Sequence, residues 1–184
     1  MSALHHWHDL NGQVWHGADP FVLKVRWAAM AFVPPPLSQP TRPPVLTQHL
    51  DALCHMLNFN DTFNSAVFAL ATCAFWGVCH LGEITVPGVA ALDTRQHVTW
   101  ASLPVFSSHG NPPIQSTWFH IPWTKTEKFC GADIVLTAIA GPLCPVLALE
   151  HHLLSNASLP ASAHFLAYQT PTGHLPMAKG TFLE

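Results

Sequence analysis

His80 and Glu83 stand three residues apart in the stretch AFWGVCHLGEI, residues 74–84, just after an apolar run that closes at Cys79. An imidazole that titrates near neutral pH, next to a carboxylate, is an acid–base pair in type. Such a pair needs a nucleophile, yet no GxSxG elbow accompanies it and no cysteine sits in a recognised nucleophile context. Lys125 and Lys128, two of only four lysines, lie in TKTEK between two β-rich runs. Taken alone, they read as the solvated turn of a hairpin.

The 14 histidines and five cysteines invite a metal. Zinc sites need tight spacings such as CxxC, HxxxH or HExxH. The closest approaches are His5, His6 and His8 in HHWH and the adjacent pair His151 and His152. Terminal histidine clusters bind divalent ions adventitiously, and neighbouring side chains on a helix diverge. Neither a specific metal site nor a cofactor is expected.

The elements that must position these residues follow from composition and period. Hydrophobic residues make up 49% of the 184 and charged residues 9%, against roughly 25% charged in a typical soluble chain. That supplies a core but little charge to solvate its surface. The net charge of −3 argues against strong binding to a nucleic-acid backbone by charge alone, because phosphate neutralisation supplies most of such affinity. MSALHHWHDL has no basic start or apolar core of a signal peptide. The longest uncharged apolar run, residues 66–79, is too short to span a bilayer. Unpaired cysteines in apolar surroundings point to a reducing, intracellular compartment and no membrane.

Asp19 and Pro20 open a helix over DPFVLKVRWAAMAF. Six prolines in VPPPLSQPTRPPV then forbid helix and mark a linker. Thr47 is read as the cap of the next helix, whose Leu50, Leu53, Cys54 and Leu57 form one stripe. A second helix starts at Asn60 or Asp61, is apolar almost all round, and is expected to stop at Gly82. The period then changes to two. HVTWASLPVF, STWFHIPW and GADIVLTAI read as a three-stranded antiparallel meander. CPVLALEHHLLSN returns to helix with Pro145 near its start, AHFLAY reads as extended, and GHLPMAKGTFLE as a turn and a helix only begun. The fold class is mainly α with a small three-stranded antiparallel sheet.

RPPVLTQHLDAL, FNSAVFALATCAFWGVCHLGEITVP, HVTW, FHIPWTKTEKFCGADIVL and HFLAYQTPTGHLPMAKGTFL occur in this order. Together they resemble the tyrosine recombinases, phage-integrase-like DNA breaking-rejoining proteins abundant in basidiomycete fungi. The resemblance implies that residues 1–33 end an N-terminal helical domain, 34–45 form the linker, and 46–184 form a partial catalytic domain lacking its C-terminal active-site helices. In that family a tyrosine attacks a DNA phosphodiester, two arginines clamp its oxygens, and a hairpin lysine protonates the leaving oxygen. The first arginine stands in an R-L-G-E motif; here that position is His80, with the acidic member kept as Glu83. The hairpin lysine matches Lys125, with Lys128 as runner-up. The second arginine, its HxxR motif and the tyrosine would lie beyond Glu184, and Tyr168 matches a core position.

What the resemblance implies is a DNA recombination and integration protein, nuclear, with DNA as partner, self-association through exposed apolar surface, and no strand cleavage. A neutral imidazole lacks the guanidinium's fork and charge, and loss of such a donor costs roughly 10²–10³ in rate. Three arginines against 14 histidines, seven tryptophans and five cysteines is the skew expected if CGN codons had decayed by C→T changes. Two other classes stay open at this point: a non-catalytic DNA-binding or protein-interaction module reusing the fold, and a small metal-dependent enzyme.

Overall fold

The computed structural model describes residues 2–32, 43–124, 127 and 130–183. Its contacts fall into two units, Met1–Pro44 and Val45–Glu184. Most of the proline-rich stretch 34–45 lies outside the described residues.

In the first unit, α1 (Ser2–Leu10) precedes α2 (Pro20–Phe32). Pro20 opens α2, where its missing N–H removes no helical bond, and the carbonyl of Asp19 accepts from Leu23 N–H at 2.9 Å. No residue of α2 is buried, and Phe21, Trp27 and Phe32 are among its exposed apolar side chains. Apolar periodicity does not announce α1, which carries the HHWH cluster. Trp15 folds back on it and stacks on His5 with ring centroids 4.9 Å apart.

The second unit is built around α4 (Thr62–Trp76). The Asp61 carboxylate accepts from the N–H groups of Phe63 (2.7 Å) and Asn64 (3.2 Å), filling two donors that a helix start leaves orphaned. Every residue from 65 to 73 is buried, as an apolar surface on all sides of a helix requires. Against α4 pack α3 (Thr47–Met56) and α6 (Pro145–Ser155).

The strands β1 (Val105–His109), β2 (Ile114–Ile121) and β3 (Ala132–Thr137) form an antiparallel sheet in the order β1-β2-β3. Val105 pairs with Trp118 and Trp118 with Val135 on the outer face. Thr117, Phe119 and Ile121 alternate with that face and are buried, the period of two that a half-buried strand must show. Phe119 meets Phe165 in the core at 5.0 Å. A smaller sheet pairs β4 (Tyr168–Thr170) with β5 (Gly173–Leu175), and α7 (Lys179–Leu183) follows. The architecture is mixed α and β with a three-stranded antiparallel sheet.

Several boundaries differ from the sequence expectation. The central helix does not reach Gly82. It ends at Trp76, and Gly82 lies inside a separate short helix, α5 (Leu81–Ile84). Thr47 is the first helical residue of α3 and not its cap. The cap is Leu46, whose backbone N–H donates to Nδ1 of His49 at 2.8 Å. HVTWASLPVF does not run as one strand, because residues 100–102 turn into a 3-10 helix before β1. AHFLAY is irregular up to Tyr168, with one isolated bridge from His164 to Thr99.

Candidate functional site

The turn that carries His80 and Glu83 is fixed by the way α4 stops. Gly77 caps the helix, and Val78 then takes φ 51°, in the left-handed region. This reversal lets Cys79 N–H reach back to the Ala74 carbonyl at 3.1 Å, the six-to-one bond of a Schellman ending. A Cβ on Gly77 would lie 2.7 Å from the Cys73 carbonyl oxygen and 2.8 Å from Cγ2 of Ile134, so the missing side chain eases the close approach of this end of α4 to β3. Trp76 anchors the same end by donating from Nε1 to the Leu143 carbonyl at 3.0 Å.

His80 is therefore delivered at the N-cap of α5 with extended backbone and an exposed ring. Glu83, half-buried, turns back so that its Oε2 accepts from the His80 N–H at 3.3 Å, while its own N–H donates to the His80 carbonyl at 2.9 Å. The carboxylate is thus held by the backbone of His80, which positions the imidazole without binding it. Leaving α5, Val86 donates to the Met177 carbonyl (3.1 Å) and accepts from Lys179 N–H (3.0 Å), which ties the turn to the start of α7.

An open apolar groove of about 600 Å³ borders the turn, with Leu50, Leu53, Phe75, Val78, His80 and Phe182 among its lining residues. Cys79 also faces it, but burial pushes this thiol up to about 12, with the Glu83 charge adding to the shift. A thiol so poorly ionised is not a nucleophile.

Lys125 and Lys128 lie outside the described residues. The frame around them is described. Glu127 N–H donates to Thr124 Oγ1 at 2.9 Å, and the Glu127 carbonyl accepts from Gly131 N–H at 3.2 Å. Gly131 has φ 62°, and a Cβ there would fall 2.0 Å from the Ile121 carbonyl oxygen. Below this turn, His120 and Asp133 face each other across β2 and β3 with Nδ1 and Oδ1 2.7 Å apart. Sequence reasoning missed this pair, whose only signal is the strand register that makes residues 120 and 133 direct partners.

Tyr168 sits far from His80 along the central helix. Its half-buried ring packs on Phe63 at 4.8 Å, at the first turn of α4, whereas His80 follows the last. The 15 residues of α4 separate those ends by about 20 Å at 1.5 Å per residue. The only tyrosine is thus a packing residue, and desolvation raises its hydroxyl above the ordinary range.

Arg95 is the single arginine of the unit Val45–Glu184. Its guanidinium lies on the Asp93 carboxylate at 3.1 and 3.0 Å, and this bonding holds Asp93 down to about 2. The arginine is engaged locally and exposed. His151 and His152 diverge from α6: His151 is exposed, and His152 is fully buried. Among the described residues, no three side chains of His, Cys, Asp and Glu come together as metal ligands, and no helix is long and apolar enough to cross a membrane. No family model, curated protein or solved structure matches the chain.

Proposed function

We propose that this chain is a tyrosine-recombinase-like DNA-binding core, related to DNA recombination and integration, whose strand-cleaving chemistry is lost. The observation that carries the proposal is the turn at the end of α4. It presents residue 80 at a helix N-terminus, backed by Glu83 and tucked against β3, whose hairpin bears Lys125 and Lys128 in sequence. A guanidinium at residue 80 would clamp a phosphate there; the imidazole of His80 offers no two-armed planar fork. With Tyr168 at the far end of α4 and Cys79 un-ionised, the described residues place no nucleophile beside the turn. The protein would then work in the nucleus by occupying DNA without cutting it.

The groove beside His80 favours a second reading, a protein-interaction module built on the same fold. One experiment separates them. The full chain is titrated with duplex DNA across a salt series, and in parallel incubated with a nicked duplex that traps a covalent protein–DNA adduct. The expected result is salt-sensitive binding with no adduct. An adduct would overturn the loss of chemistry, and absence of binding at low salt would favour the interaction module.

A further inference from the structure

We propose that His152 and His164 form an acid-sensitive clasp on residues 163–167, one that closes only while both rings are neutral, so that mild acid opens the second unit. The inference is independent of the DNA reading above.

Hydrogen bonding fixes the protonation state of each ring. Asn156 Oδ1 accepts from Gln169 N–H at 3.0 Å, which orients the amide so that Nδ2 points at Nδ1 of His152, 3.2 Å away. That nitrogen must accept. The other, Nε2, lies 2.9 Å from the Phe165 carbonyl, which cannot donate, so Nε2 carries the proton. In His164, Nδ1 accepts from Leu166 N–H at 3.2 Å, leaving the proton on Nε2, which is buried with no hydrogen-bond partner among the described residues. A second proton on either ring would set a donor against a donor and bury a charge.

Nothing nearby compensates such a charge. His152 is 0% and His164 1% exposed. The titratable groups facing them are other histidines. His97 lies against His164 with centroids 6.3 Å apart, His151 is next on α6, and the two rings oppose each other. Behind His97, whose Nδ1 bonds the Asp93 backbone, the Asp93 carboxylate is taken up by Arg95 and Gln96. No carboxylate pairs with either buried ring among the described residues. Burial is the leading cause pushing His152 down to about 4 and His164 down to about 3, with neighbouring histidines acting in the same direction.

The clasped segment is central to the unit. Phe165, Leu166 and Ala167 are all 0% exposed. Phe165 N–H donates to the Val98 carbonyl and Trp100 N–H to the Ala163 carbonyl, each at 3.0 Å. Charging the histidines therefore acts on the core and not on a loose loop. The sign follows from linkage: a histidine with a lowered folded value stabilises fully above its unfolded value of about 6.5, and that contribution is lost as pH falls toward the folded value.

Urea unfolding of the full chain at several pH values tests the clasp. Two protons taken up on opening should raise the unfolding constant about 10²–10³-fold between pH 7 and pH 5. His152→Gln keeps a donor toward Phe165, and His164→Asn keeps an acceptor for Leu166 N–H; either should reduce the rise to about 20–30-fold. A rise below tenfold in the unaltered chain would overturn the proposal. Should the variants fail to fold, ring ¹⁵N shifts of the unaltered chain decide. Both rings should stay in the Nε2–H neutral form at pH 6, and either ring charging near its free value while the chain is folded would overturn it.

Discussion

Cys79 N–H donates to the Ala74 carbonyl across 3.1 Å, and the residue turned over to make that bond, Val78, is held at φ 51°. A β-branched residue at a position that glycine usually fills is strained. The left-handed region costs an L-residue roughly 1–2 kcal/mol, part of which glycine returns through its freer unfolded chain. Val78→Gly should therefore stabilise the second unit by about 1 kcal/mol, seen as a higher urea midpoint with an unchanged slope. Val78 is 86% exposed, so lost packing does not confuse the result. A lower midpoint would mean that the turn is not strained.

The hairpin presents the opposite case. Gly131 combines φ 62° with a would-be Cβ 2.0 Å from the Ile121 carbonyl oxygen and 2.8 Å from Nε2 of His120. Backbone cannot move aside as a side-chain tip can. Gly131→Ala should destabilise by about 3 kcal/mol or more and disturb the pairing of His120 with Asp133, 2.7 Å apart. Chemical denaturation measures the first effect and the imidazole resonances of His120 the second. Unchanged stability would show that the hairpin relaxes freely.

How far these features could be foreseen depends on whether the cause is local. Asp61 before an apolar helix announces itself, because the cap is chemistry between neighbours. The strands β2 and β3 are visible in alternation, which needs only one buried face, whereas β1 buries no residue and leaves no such mark. The sequence points to Gly82 as the stop of α4 because glycine is the expected terminator, whereas the helix ends at Gly77, where a Cβ would crowd Cys73 and Ile134, and Val78 takes the left-handed turn. The burial of His152 and His164 is not legible in the sequence, since burial of a neutral imidazole leaves no mark in composition. The pair of His120 with Asp133 needs the register between strands, which a single sequence does not print.

Asn156 joins three elements of the second unit. Its amide donates toward His152 and the Thr62 carbonyl, and its oxygen accepts from Gln169 N–H. The residue is 0% exposed, so truncation leaves partners that water cannot reach. Each stranded group costs about 1–3 kcal/mol. Asn156→Ala should lose about 3 kcal/mol in total and lower the melting temperature by about 10 °C. Asn156→Asp should also destabilise, because it replaces the donor facing Nδ1 of His152 with a second acceptor. Circular dichroism melts of both variants check this. A melt unchanged in Asn156→Ala would show that the network contributes nothing net.

His80→Arg separates the stability of the turn from its chemistry. Residue 80 is exposed, and Glu83 binds its backbone N–H and not its ring. The substitution should therefore change folding stability by less than about 0.5 kcal/mol. If the turn lies where a recombinase clamps phosphate, the new guanidinium gains a charge-assisted contact, and duplex DNA should bind more tightly. One added phosphate contact steepens the logarithmic salt dependence by about one. The companion His80→Gln, which carries no charge at any pH, should lack that steepening. Anisotropy titrations over a salt series read both quantities. Equal slopes for Arg, Gln and His at residue 80 would place this turn off the DNA and leave the groove beside it as the surface to be explained.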